Sequence, residues 1–448
     1  MSEPTGEKNI FLLLIRLDLA ETNPIGQPWP GAQGFPKMDE DKNYTFIAGL
    51  LDASKQATRT PLLSIPFNTS ERKEFYNSIV SRLEKLIELF YDRDNGLVSF
   101  PERFDGTVQA AVERDIGGIG RDIADLFPRP TPLSNWLDKI FKGERSDQEH
   151  VTIITNDFNI PWYWMKNAAG GAMLCEACGL GMLQLSSRTF AEPDDDRNSE
   201  NPGRNLHALL INGSGGSDLP FSGEQLRSLQ EFLQTGKDLS ERERLRPFKV
   251  DLVTEGAGVR GLVMDHGRDD ARGLYRLVHY SGHWNYEDTQ SVSGKSAGAE
   301  TPKKELWVGD KPMSVADLKE FVESAVLALD GCSSSHGLQA WSEVENLTGK
   351  IINLGALGCV VTTLPVKDDP ILSDKFWETF YGIFLREMGP KTLGQALRKA
   401  RAALKEHLRA TGSKNPAWAF YQLIGNPSVR LIDEGSDWLI PEGPHGDG

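Results

Sequence analysis

With 448 residues, 49 Lys and Arg and 64 Asp and Glu, the chain carries a formal charge of −15. That length exceeds one average domain, so two lobes or one extended α/β unit are expected, and the acidity argues against a nucleic-acid surface, which needs clustered Lys and Arg. Four Cys fit a reducing compartment rather than a disulfide scaffold, and no run reaches the ~18 apolar residues of a membrane span.

Residues 9–18 read as a strand. Its apolar part is too short for a signal-peptide core and is ended by Arg16 and Asp18, so a cytoplasmic protein is expected. The Pro- and Gly-rich 23–40 predicts loop. From Ser70 to Tyr91 apolar residues recur at helical spacing, with Ser70 as N-cap and Glu71 and Glu74 in the first turns. A second helix is predicted over 118–127, ahead of Phe127-Pro128-Arg129-Pro130. Residues 189–205, acidic and rich in Asn, predict a flexible connection. Strands are predicted at 207–212, 249–254, 274–280, 324–330 and 358–364, separated by helical patterns at 221–236, 314–323 and 373–387. Such alternation means βαβ units and a mainly parallel sheet. The basic stretch 398–405 has apolar residues at helical spacing and reads as the solvated face of a packed helix, with no call for DNA.

Two of these strands carry reactive residues at their ends. Leu277-Val278-His279-Tyr280-Ser281-Gly282-His283 and Ala325-Val326-Leu327-Ala328-Leu329-Asp330-Gly331-Cys332 are each an apolar run, a small residue and then a base or a nucleophile. Residues just past the carboxyl ends of parallel strands face the crevice where open α/β sheets bind ligands. A thiol beside an imidazole there is the minimum for nucleophilic catalysis, since the thiolate attacks and the imidazole carries the proton. Backbone N–H groups around Gly282, Trp284 and Cys332 would form the oxyanion hole. The competing reading is a core cysteine and a turn histidine. His336, on the same element as Cys332, is a rival base.

Other motifs are weaker. Cys175-x-x-Cys178 has no second close Cys or His pair, whereas a structural zinc wants four ligands, so no metal is expected. Gly256-x-Gly258-x-x-Gly261 follows a predicted strand and gives an alternative reading as a nucleotide-binding α/β protein. It lacks the acidic residue about 20 positions on that contacts a ribose.

The run 278–283, then Ala328-Leu329-Asp330-Gly331-Cys332-Ser333-Ser334, then Gly355-Ala356-Leu357-Gly358-Cys359-Val360-Val361-Thr362-Thr363-Leu364-Pro365-Val366-Lys367-Asp368-Asp369, resembles the CHAT peptidases, which are caspase-like and related to separase. Val151-Thr152-Ile153-Ile154 with Ile160-Pro161-Trp162 upstream, and Phe380-Tyr381, 395–400 and 418–427 downstream, continue the likeness over about 148–432. The resemblance implies a caspase-like, mainly parallel sheet with helices on both faces in residues 148–432. Residues 1–147 would then be an N-terminal α/β or helical lobe, a pseudo-protease half or partner-binding region, and 433–448 a tail. It implies a cysteine endopeptidase with His283 as general base and Cys332 as nucleophile, without a cofactor.

Trp284 departs from the Gly usual after the family's catalytic His, which leaves an inactive caspase-like interaction module as an alternative. Asp330, where metacaspases also carry an acid, and Asp368 with Asp369, where separase-like sequences carry one, imply a P1 pocket for Arg or Lys. Bacterial members act on dedicated protein partners in defence or regulated-death pathways, so a protein substrate and an activating protein or complex are expected. The Ser- and Gly-rich 284–304 predicts a mobile loop beside the site. Its Lys295, Lys303 and Lys304 are candidate autocleavage positions, or simply part of a solvated loop.

Overall fold

The computed structural model describes residues 8–18, 38–52, 57–92, 97–98, 105–143, 149–157, 160–167, 171–184, 207–213, 222–236, 247–254, 275–282, 284–286, 304–308, 311–314, 318–330, 351–364, 366, 370–386 and 391–431. The first apolar run forms β1 (Lys8–Asp18), with β2 (Tyr44–Asp52) antiparallel beside it. Side chains alternate across a strand, and Ile10, Leu12 and Leu14 of β1 are buried, as are Phe46, Ala48 and Leu50 of β2. Short β3 (Ala57–Thr58) and β4 (Leu63–Phe67) close onto β2. Helix α1 (Ser70–Glu88) buries Tyr76, Ile79, Val80, Leu83 and Leu86 along one face. Thr69 rather than Ser70 caps it, its Oγ1 accepting from Arg72 N at 3.4 Å.

After the small hairpin of β5 (Tyr91–Asp92) and β6 (Leu97–Val98), α2 (Gly106–Asp125) begins well before residue 118, its expected start. Asp105 caps it, Oδ1 accepting from Thr107 N at 2.9 Å and Val108 N at 3.2 Å. Gly117, Gly118 and Gly120 lower its helical signal. Gly120 also allows close packing: a Cβ there would overlap the Trp164 carbonyl. Helix α3 (Pro132–Phe141), unforeseen behind the Pro-rich segment, starts on a Thr131–Ser134 capping box with Pro132 in its first turn. Strand β7 (Glu149–Thr155) then pairs in parallel with β1, Ile10 opposite Val151. A 3-10 turn (Trp162–Trp164) and α4 (Leu174–Ala177) lead to β8 (Gly179–Gln184), parallel to β7.

In the second half come β9 (His207–Gly213), α5 (Ser222–Thr235), β10 (Lys249–Val253) and β11 (Tyr275–Gly282). They are followed by β12 (Trp284–Tyr286), β13 (Lys304–Val308) and β14 (Lys311–Ser314), which form a separate antiparallel sheet. The ends of the expected 284–304 loop are therefore strand, Tyr286 opposite Lys304, and 287–303 lie outside the described residues. The helical pattern at 314–323 shortens to α6 (Lys319–Val322). β15 (Val326–Asp330), β16 (Gly358–Thr362), α7 (Pro370–Phe384), α8 (Leu393–Ala410) and β17 (Tyr421–Gly425) follow among the described residues. The acidic connection 189–205, the 256–261 glycines and the tail 433–448 also lie outside the described residues.

The main sheet has the order β10-β9-β11-β15-β16-β17-β8-β7-β1-β2-β3, with β4 on β2. It consists of two parallel blocks, β10 to β16 and β17 to β1, which run in opposite directions and meet at the antiparallel β16–β17 pair. Every position of β16 and β17 is buried, so both faces of the sheet are covered there. The crossovers β9–α5–β10 and β11–α6–β15 travel in opposite directions from the centre, and right-handedness then puts α5 and α6 on opposite faces. The molecule is thus a mixed α/β fold on a large, mainly parallel sheet flanked by helices. Strands β1 to β4 belong to that same sheet.

Candidate active site

Because those two crossovers diverge, the carboxyl ends of β9 and β11 form a topological switch point, where open sheets leave a crevice. Gly213 and Gly282 end the two strands opposite each other. A Cβ on Gly282 would overlap the Gly213 backbone, which cannot move aside as a flexible side chain can. Gly282→Ala should therefore cost about 1–3 kcal/mol by overpacking. Chemical denaturation of the variant checks this, and an unchanged midpoint would refute the close approach.

On its other side β11 pairs in parallel with β15, ending with Ser281 opposite Asp330. His283 stands two positions after Ser281, and Cys332 two after Asp330. His283, Cys332, His336, Asp368 and Asp369 lie outside the described residues, and Trp284 is described as backbone of β12.

Asp330 is described and enclosed. Its Oδ2 accepts from Trp377 Nε1 at 2.6 Å, Ser373 Oγ at 2.8 Å and Gln225 Nε2 at 3.0 Å. Gln225 Nε2 also reaches Ser373 Oγ, and Ser281 Oγ donates to Gln225 Oε1 at 3.4 Å. Burial pushes the Asp330 carboxyl above its ordinary value, and the three hydrogen bonds pull it back. Ser373, expected near the start of its helix, is in the first turn of α7, which begins at Pro370. Next to it, Asp374 is pushed up to about 6, first by burial and then by repulsion from Glu378, Glu224 and Asp330. Gln225 and Trp377 were not foreseen, because neither residue type in a helical pattern differs from an ordinary core or surface position.

His279 is a second unforeseen participant. Its Nδ1 pairs with the Tyr381 hydroxyl at 2.9 Å, and its ring meets Trp377 edge-on with centroids 4.8 Å apart. Nε2 is buried, with no hydrogen-bond partner among the described residues. Burial pushes the imidazole down to about 3 from 6.5. The unfolded chain therefore binds this proton more readily, so stability is complete above pH 6.5 and falls as pH drops toward about 3. Urea unfolding between pH 7 and 4.5 should show a slope in wild type that His279→Phe flattens by up to about 1.4 kcal/mol per pH unit. Parallel slopes would contradict the assignment.

The remaining candidates are structural. Cys175 and Cys178 are buried thiols, Cys178 Sγ donating to Leu174 O at 3.4 Å, and burial raises Cys175 to about 11. Among the described residues no group of three or more His, Cys, Asp or Glu is placed to hold a metal ion, and no helix is long and apolar enough to cross a membrane. The oppositely directed block has its own strand ends, after β1 and β7, and these are filled. Arg16 Nη1 contacts Asp157 Oδ2 at 3.2 Å and donates to Tyr76 OH at 2.8 Å, while Tyr76 OH donates to the same Asp157 oxygen at 2.7 Å. Trp162 Nε1 covers the Asp157 carbonyl at 2.7 Å, and Asn156 and Arg16 exchange two hydrogen bonds.

No protein-family profile and no curated protein matches this chain. Among solved structures it is similar to one described as a protease, with 10% identity, 78% of this chain and 75% of that one covered, and a TM-score of 0.41. It is also similar to the Arg-specific cysteine proteinase gingipain R, with 12% identity, 80% and 76% covered, and a TM-score of 0.36. A third similarity is to separase of the Saccharomyces cerevisiae separase–securin complex, with 9% identity, 94% of this chain but only 30% of that one covered, and a TM-score of 0.43. At TM-scores this low, any assignment of chemistry rests on the chain's own sequence and strand register.

Proposed function

We propose that the chain is a caspase-like cysteine endopeptidase of the CHAT type, with His283 as general base and Cys332 as nucleophile. The observation that carries this reading is the parallel register of β11 and β15. Ser281 and Asp330 are partners, and each precedes one of the two reactive residues by two positions, at the carboxyl ends next to the switch point. His283 takes the thiol proton of Cys332, and the thiolate adds to the scissile carbonyl. Backbone N–H groups of Gly282, Trp284 and Cys332 are the proposed donors to the tetrahedral oxyanion. The imidazolium protonates the departing amine. Water, deprotonated by the same imidazole, then hydrolyses the thioester and frees Cys332.

Cleavage after Arg or Lys is part of the proposal. Of the carboxylates the sequence offers for a P1 pocket, Asp330, Asp368 and Asp369, the last two carry the basic preference in this reading. A dedicated protein activator, engaged through residues 1–147, belongs to the same reading, as does a place in a bacterial defence or regulated-death pathway. The test is intact-mass labelling with two thiol-directed peptide probes that differ only in Arg or Asp at P1. One adduct with the Arg probe alone, on Cys332, is expected. Equal labelling by both probes would remove the basic preference, and labelling by neither would favour an inactive interaction module.

A further inference from the structure

We propose that Asp330 is a positioning residue for the dyad and not a contact of the substrate's P1 side chain; this rests on the peptidase reading above. A carboxylate that receives a guanidinium does so best with both oxygens, in a fork-to-fork pair. One oxygen of Asp330 is already spent. Oδ2 is shared by three neutral donors of the protein, one from α5 and two from α7. Among the described residues these are side chains with no charge to offer and with fixed places in two helices.

The same bonds have a mechanical result. Gln225 spans two neighbouring strand ends, its Nε2 on Asp330 of β15 and its Oε1 on Ser281 of β11. Those two residues are register partners, so the amide ties together the rungs from which the chain continues to His283 and Cys332. Ser373 and Trp377 press α7 onto the same point, and Trp377 also packs against His279 one turn of the pleat earlier on β11. Asp330 thereby sets the lateral spacing and the tilt of both strand ends. A displacement of about 1 Å between base and nucleophile costs about a hundredfold in rate. P1 selection falls to other carboxylates.

The test separates the inactivation rate constant kinact from the probe affinity KI. Wild type, Asp330→Asn and Ser373→Ala are treated with Arg-P1 and Gln-P1 versions of one thiol-directed probe, below the unfolding temperature of each variant. Positioning predicts that both variants lose about ten- to hundredfold in kinact with either probe, while KI and the Arg-over-Gln preference stay as in wild type. A rise in KI for the Arg probe alone in Asp330→Asn would make Asp330 the P1 contact and overturn the assignment. Unchanged kinact and KI in both variants would leave it a purely structural residue and overturn it as well. Ser373→Ala removes one hydroxyl and carries the test if Asp330→Asn does not fold. A wild type unlabelled at Cys332 by either probe would sink the peptidase reading, and this role with it.

Discussion

Cys332→Ala should abolish covalent capture of an Arg-P1 probe, and His283→Ala should slow capture by about 10²–10⁴-fold. The two effects differ in kind. Without the thiol there is no atom to form the adduct, so the loss is complete. Without the imidazole the thiol remains but is mostly protonated near neutral pH, and what disappears is the thiolate and the proton donor for the leaving group. Raising the pH should restore part of the His283→Ala rate by deprotonating the thiol directly, and none of the Cys332→Ala rate. His336→Ala serves as the control and should label like wild type. If His336→Ala were silent and His283→Ala active, the base would be His336 and the register argument at the end of β11 would fail.

Asp157→Ala should be the most damaging single change to stability, by about 3–5 kcal/mol. Arg16 is 7% exposed at its side chain and Asp157 is 0% exposed, so the substitution removes a buried carboxylate from a buried guanidinium. The rings of Tyr44 and Tyr76, 5.9 and 5.7 Å from the guanidinium carbon, attract the cation less strongly than a carboxylate does. Against a typical total of about 5–15 kcal/mol, a loss of this size takes much of the margin. Replacing both partners at once, as Arg16→Met with Asp157→Leu, should cost less than Asp157→Ala alone, because no charge is then left buried. Chemical denaturation of the three variants gives the comparison. A double variant as unstable as the single one would mean that packing, not charge, dominates at this site.

The alternation of β9, α5, β10, β11, β15, β16 and α7 was legible in the sequence, since each strand is an apolar run bounded by turn residues and each longer helix repeats every three to four positions. Helix α2 was read short because Gly117, Gly118 and Gly120 mimic a break, whereas Gly120 admits the carbonyl of Trp164 in the 3-10 turn. Its cap, Asp105, is ordinary once seen but stands far from the apolar stretch that drew attention. At the site, the pairing of β11 with β15 followed from two similar strand ends. The clamp on Asp330 did not follow, because its donors come from residues 225, 373 and 377, and only the packing of α5 and α7 over one face of the sheet brings them to one oxygen.

The parallel pairing of β1 with β7 has a consequence for how this protein could be cut or regulated. Ile10, Leu12 and Leu14 lie alongside Val151 and Ile153, and all five are buried. Excising the first 147 residues would strip β1 from the sheet. It would leave β7 as a bare outer strand with unpaired amides and an apolar flank, a template for joining other chains edge to edge. Truncations intended to isolate the second half should therefore begin no later than β1.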